Sequence, residues 1–146
     1  MILESERFII ANTGILLSTV TDIKNYDELL VGIDASMNSL MRVPLYGAVH
    51  PIIVANKVNN KKGKVANLVG QVCETTDILF RSVELPNIEI GDTIAILNSG
   101  AYVSSMASNY NLLQRPSEIL LDGDKEIVIK RQETLEDILG TFQNNV

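Results

Sequence analysis

Four short segments carry the side chains that could do chemistry. In MRVPLYGAVHP, residues 41–51, Arg42, Tyr46 and His50 fall within eleven residues. A guanidinium forks onto a carboxylate and a phenol adds one donor, so Arg42 and Tyr46 suit an anionic group. His50, before Pro51 at the start of a strand-like run, reads as structural. In GQVCETTD, residues 70–77, the thiol of Cys73 stands beside the carboxylate of Glu74, with Asp77 following. Such a pair could donate a proton next to a group that binds an ammonium. The alternative is a buried, inert cysteine and a solvated glutamate. LESER, residues 3–7, has Glu4, Glu6 and Arg7 ahead of an apolar run and, by itself, reads as a solvated charged end. NSGAYVSSMASNYN, residues 98–111, combines small residues, two tyrosines and three asparagines without a charge. It is poor core material and too apolar for an ordinary loop, which raises a suspicion of a site.

The elements that must position these side chains read mostly as short strands. RFIIAN, ILLSTVTDI, LLVGID, HPIIVAN, KVANLVGQVC, TIAILN, EILLDG and KEIVIKR are apolar runs of strand length, rich in β-branched residues. Turn signals separate them. NNKKGK (59–64) reads as a hairpin tip, PNIEIGD (86–92) as a turn, and DGDK (122–125) as an Asp-Gly hairpin. TLEDILGTF reads as a helix capped by Thr134 with acids in its first turn. A second short helix is placed after Tyr102, and the tail QNNV reads as frayed. The predicted class is mainly β: an antiparallel, Greek-key-like barrel or sandwich with one or two short helices.

Composition narrows the function. The 146 residues suit one domain with one core. A net charge of −6 argues against nucleic acid or an anionic membrane surface as partner. No apolar run is long enough for a membrane helix, and the acids in MILESERFII do not fit a signal peptide. A single cysteine forms no internal disulfide, which fits the cytoplasm. No Walker loop, GxGxxG or paired-cysteine metal motif is present.

Read in order, ESER…IANTGILLSTV, DASMNSLMRVPLYGAVHPI, GQVCETTDIL, ELPNIEIGDTIAILNSGAYVSSMASNYN, RPSEILLDG and RQETLEDIL resemble the C-terminal domain of diaminopimelate decarboxylase. The resemblance spans nearly the whole chain. Its specific parts are the Cys-Glu pair and the block from Gly100 to Asn111. It implies a two-domain decarboxylase dependent on pyridoxal 5'-phosphate (PLP), which an N-terminal (β/α)8 barrel binds through a lysine. The C-terminal β-domain completes the site at a homodimer interface. The implied reaction converts meso-diaminopimelate to L-lysine and CO2. The implied roles follow residue by residue. The family's EPGR matches Glu4, Ser5, Glu6 and Arg7, which contact the PLP phosphate through backbone while Arg7 holds substrate. Arg42 and Tyr46 match a substrate-carboxylate pair. Cys73 matches the proton-donating thiol that reaches in from the partner subunit, and Glu74 the carboxylate for the distal ammonium. Tyr102 matches a tyrosine lying against PLP and substrate.

The chain departs from the family at several of these positions. Ser5 and Glu6 stand where proline and glycine are usual, so Glu6 adds a side chain and a charge where glycine permits close approach. Thr75 and Thr76 replace Ser-Gly, and Val49 replaces an aromatic. No lysine here stands in a context matching the PLP lysine, so the chain alone is expected not to decarboxylate. The family's β-domain usually includes a strand from the N-terminus, so an open sheet edge and self-association, or pairing with a separate barrel, are expected. Two other readings remain open: a related decarboxylase of ornithine, lysine, arginine or carboxynorspermidine, and a non-catalytic domain that binds a full-length decarboxylase.

Overall fold

The computed structural model describes residues 1–61 and 63–143. Strands β1 (Leu16–Asn25), β2 (Leu29–Ile33), β3 (Ile52–Val54), β4 (Lys64–Val69), β5 (Ile78–Leu85) and β6 (Thr93–Ile96) form one sheet, with β7 (Glu118–Asp122) and β8 (Lys125–Lys130) as a separate hairpin. The described residues also form four short α-helices, α1 (Glu6–Ile10), α2 (Arg42–Tyr46), α3 (Val103–Met106) and α4 (Leu135–Leu139), and three 3-10 turns.

The apolar runs explain the core. Val20, Val31, Ile33, Leu68, Leu85, Ile94 and Ile96 point inward from five strands and are almost completely buried, joined by Leu40 from a connecting turn. The six-stranded sheet has the order β3-β6-β1-β2-β4-β5. Its long member β1 pairs with β6 through Leu16–Thr19 and with β2 through Val20–Asn25. An irregularity between Val20 and Asp22 bends β1 where it changes partner. The sheet thereby curls into a nearly closed, barrel-like layer. The pairing of β2 with β4 is parallel and the other pairs are antiparallel, so the sheet is mixed rather than purely antiparallel.

Several expectations hold and several are corrected. The Asp-Gly hairpin forms, with Gly123 at φ 59° in its tip. The helix α4 carries a full capping box: the Thr134 side chain accepts from the Asp137 amide at 3.3 Å, and Asp137 accepts from the Thr134 amide at 2.8 Å. The short helix after Tyr102 is α3. RFIIAN is not a strand; it forms α1 and a 3-10 turn at Ala11–Thr13. Among the described residues no strand pairs with it, and local bonds such as Ile9 N–H to the Ser5 carbonyl satisfy its backbone. NNKKGK is not a hairpin tip, because β3 pairs with β6 whereas β4 pairs with β2 and β5. Strand β5 and helix α2 are additions to the sequence reading. Asn144–Val146, most of the tail read as frayed, lie outside the described residues. No helix among the described residues is long and apolar enough to cross a membrane.

The hairpin is tied to the rest by Glu133. Its carboxylate accepts from the Arg115 amide at 2.8 Å, the Arg115 Nε at 2.6 Å and Asn109 Nδ2 at 2.5 Å. The Arg115 side chain, aided by these further donors, pulls the Glu133 carboxyl down to about 2. A depressed carboxyl stabilises the fold fully above its unfolded value, 4.5, and loses that contribution as pH falls through about 2. Glu133→Gln is therefore expected to lower Tm by roughly 5 °C at neutral pH. Thermal melts should show the difference from wild type shrinking as pH falls toward that value. A constant difference would contradict the assignment.

Candidate functional site

The site grows from a buried turn. After β2, Ser36 accepts at its carbonyl from the amides of Ser39 and Leu40, both at 2.9 Å, and the Ser39 hydroxyl donates to it at 3.0 Å. This turn delivers the chain to α2, whose first residue, Arg42, is buried with it. Gly47 ends the helix in the left-handed region at φ 63°, returning its amide to the Val43 carbonyl at 2.9 Å. Tyr46 on the last turn is exposed.

Segment 98–111 owes its small residues partly to a close backbone approach. A Cβ on Gly100 would stand 2.1 Å from the Ile10 carbonyl oxygen, and one on Gly14 2.5 Å from the Gly100 Cα. The Gly100 amide donates to the Ala11 carbonyl at 2.9 Å and the Ser99 amide to Gly14 at 2.8 Å. This contact seats residues 4–14 beside Tyr102. Tyr102 itself lies at φ 67°, a left-handed conformation rare for a bulky residue and often kept at functional sites. Its ring lies under the Arg42 guanidinium, 5.4 Å from centroid to Cζ. Its hydroxyl donates to Glu6 Oε2 at 3.2 Å.

These residues line two clefts. Glu4, Ser5, Glu6, Arg7, Arg42 and Tyr102 border the larger, about 730 Å³. Arg7, Arg42, Tyr46 and Tyr102 border a second of about 480 Å³. Two guanidiniums and two phenols thus converge, which can orient an anionic, planar or carboxylate-bearing ligand. His50 also lines the larger cleft and is buried. Its Nδ1 donates to the Leu97 carbonyl at 3.0 Å, which supports the structural reading. Its Nε2 has no partner among the described residues.

Cys73 and Glu74 stand apart and line neither cleft. Cys73 is exposed, so it is not the buried cysteine of the alternative reading. The loop 70–77 that carries it leaves the sheet at the end of β4 and exposes residues 73–76. Glu74 accepts a short hydrogen bond from the Tyr110 hydroxyl. That bond, with burial and the Glu74 charge behind it, raises the phenol's pKa. Tyr110 is a partner of the candidate residue Glu74 that the sequence reading did not name, although it lies within the suspected segment. Its partner is 36 positions away.

The mainly β, barrel-like fold is that of the C-terminal sheet domain of PLP-dependent decarboxylases. Residues 7–100 match the family described as "Pyridoxal-dependent decarboxylase, C-terminal sheet domain", and the chain belongs to it. More particularly, it is similar to diaminopimelate decarboxylases. It is 39% identical to that of Methanothermobacter thermautotrophicus over 95% of this chain and 32% of the relative. It is 44% identical to that of Neisseria meningitidis serogroup A over 93% of this chain and 33% of the relative. The crystal structure of the Methanocaldococcus jannaschii diaminopimelate decarboxylase in complex with L-lysine superimposes with a TM-score of 0.89 at 36% identity. It covers 94% of this chain and 31% of that one. The chain thus spans about a third of the length of these curated relatives.

The Tyr110–Glu74 bond gives a direct test. Glu74→Gln removes the carboxylate that raises the Tyr110 pKa, so the Tyr110 phenol is expected to titrate at lower pH. Ring resonances followed by NMR across alkaline pH check this; an unchanged midpoint would show that the bond does not persist in solution.

Proposed function

We propose that this chain is the β-domain, residues 1–146, of a diaminopimelate decarboxylase. It supplies the substrate-binding and proton-donor groups of a site whose PLP is held by a lysine of a (β/α)8 barrel domain. The observation that carries the reading is the convergence of Arg7, Arg42, Tyr46 and Tyr102 on adjoining clefts, with a separate exposed Cys73–Glu74 pair. The donor set suits PLP and a diamino diacid: cationic forks for phosphate and carboxylate, and an aromatic face beside them.

When bound, PLP supplies the electron sink that takes up the pair left as CO2 departs. The chain's own residues bind, orient and protonate. Arg42 and Tyr46 hold the substrate carboxylate that is kept, with Arg7 as a second fork. Tyr102, fixed by its backbone and by Arg42, packs its ring against the planar groups. Residues Glu4–Arg7 bring backbone to the phosphate. Glu74, oriented by Tyr110, binds the distal ammonium. Cys73 Sγ delivers the proton that replaces CO2 on carbon, leaving L-lysine. That Cys73 and Glu74 line neither cleft supports the reading that they serve the site of a partner subunit in a homodimer. The preference for diaminopimelate over ornithine, lysine or other diamines follows from this pairing of a carboxylate fork with an ammonium-binding acid.

One contact favours a second reading. Glu6 places its carboxylate on the Tyr102 hydroxyl, inside the cleft. A domain whose cleft is filled by its own acid would suit a non-catalytic partner of a full-length decarboxylase.

The test is CO2 release from meso-diaminopimelate by the PLP-loaded polypeptide that carries this domain. Turnover is expected, and Cys73→Ala should lower kcat by roughly 10²–10⁴-fold. Arg42→Ala should raise KM by about 10-fold or more. The 146-residue chain with PLP alone is expected to be inactive. Equal rates on ornithine would overturn the substrate assignment. No turnover on any diamino acid, with tight binding to a full-length decarboxylase, would establish the second reading instead.

A further inference from the structure

The loop 70–77 has few apolar anchors, yet it must hold Cys73 and Glu74 in place. Its two buried side chains are Val72 and Asp77, and Asp77 exposes only 2% of its surface. Asp77 has no ion-pair partner among the described residues. Its Oδ2 accepts from the Val72 amide at 3.0 Å, within its own loop. Its Oδ1 accepts from the Met37 amide at 2.7 Å, 40 positions away. The loop also closes on itself: the Gly70 amide donates to the Asp77 carbonyl at 2.9 Å, and the Asp77 amide to the Glu74 carbonyl at 3.1 Å. Gly70 makes room for the carboxylate, since a Cβ there would stand 2.2 Å from Asp77 Oδ2.

A buried carboxylate without a cation is costly. Burial pushes its carboxyl up, while the two amide bonds pull it down. An amide or hydroxyl would suit a mere loop closure at less cost. What the carboxylate adds is two strong acceptors pointing at two segments. Met37 lies in the turn that leads into Arg42, so one side chain joins the proton-donor loop to the carboxylate-binding helix.

We propose that Asp77 is a positioning residue, whose two backbone bonds fix the Cys73–Glu74 loop against the turn at Met37. The thiol, the acid and Arg42 thereby keep one relative placement. The purpose of that placement rests on the decarboxylase reading; the clamp itself does not.

Cys73 is the sole cysteine, so its alkylation reports the loop without background. The rate with iodoacetamide is followed from neutral to alkaline pH in wild type, Asp77→Asn and Gly70→Ala, well below each Tm. Asp77→Asn turns one acceptor into a donor, and Gly70→Ala pushes the carboxylate away. Both are expected to change the alkylation rate by roughly fivefold or more and to displace its pH profile. A purely structural role would lower Tm and leave both unchanged; that result in both folded variants overturns the proposal. Should the variants not fold, hydrogen exchange on wild type decides. The Met37 and Val72 amides are expected to be protected, and exchange as fast as that of residues 73–76 overturns the clamp. Inactivity toward diamino acids with alkylation and exchange as expected would overturn the functional reading alone.

Discussion

The turn from Ser36 to Leu40 is buried, and its hydrogen bonds reach the segments that carry candidate site residues. Met37 donates its amide to Asp77 of the Cys73 loop. Asn38 exchanges bonds with Ser108 of the 98–111 segment: its carbonyl accepts at 2.9 Å and its Nδ2 donates at 3.4 Å. Ser36 and Ser39 close the turn upon itself, and Leu40 plugs it into the core. The chain then enters α2 at Arg42. An unsatisfied buried polar group costs about 1–3 kcal/mol, so none of these segments can drift without leaving one. The scaffold therefore fixes the two clusters, Arg7–Arg42–Tyr46–Tyr102 and Cys73–Glu74–Tyr110, relative to one another while keeping them apart.

That separation explains an oddity of the chain. Within one copy, Cys73 and Glu74 line neither of the clefts bordered by Arg7, Arg42 and Tyr102. On the decarboxylase reading both are needed around one substrate, so a second copy of the chain would have to complete each site. Tyr102 adds a second feature, a bulky residue at positive φ between Arg42 and Glu6. Its ring lies beneath the guanidinium while its hydroxyl is engaged by Glu6.

Much of this was legible in the sequence where the signal is local. Thr134 with acids after it marked α4, and Asp122-Gly123 marked the hairpin. Small residues around Gly100 marked a close approach, although the structure assigns part of it to the chain's own residues 10–14. Apolar runs marked the strands, but not their partners. RFIIAN has a strand's composition, but among the described residues no strand pairs with it and it forms helix. In β5, Arg81 and Ser82 interrupt the run, and Ser82 turns to φ 52° with its amide on Asn67. That local irregularity hides a strand which tertiary pairing stabilises. For Arg42 and Cys73 residue type suggested a chemistry, and for Tyr102 only the resemblance did; their spacing alone does not say where the fold puts them. Tyr110 and Asp77 were out of reach for the same physical reason: their partners are 36 and 40 positions away, and one of them is a bare backbone amide.

The central claim is that the two clusters of one chain serve two different sites. Subunit complementation tests it most directly. Two variants of the PLP-loaded polypeptide, Cys73→Ala and Arg42→Ala, are each mixed with themselves and with each other under conditions that exchange subunits. If each site takes Cys73 from one copy and Arg42 from the other, random pairing leaves one intact site in half the dimers. Decarboxylation should then return to about one quarter of wild type in the mixture. Activity no higher than that of either variant alone would place both clusters in the same site and contradict the account.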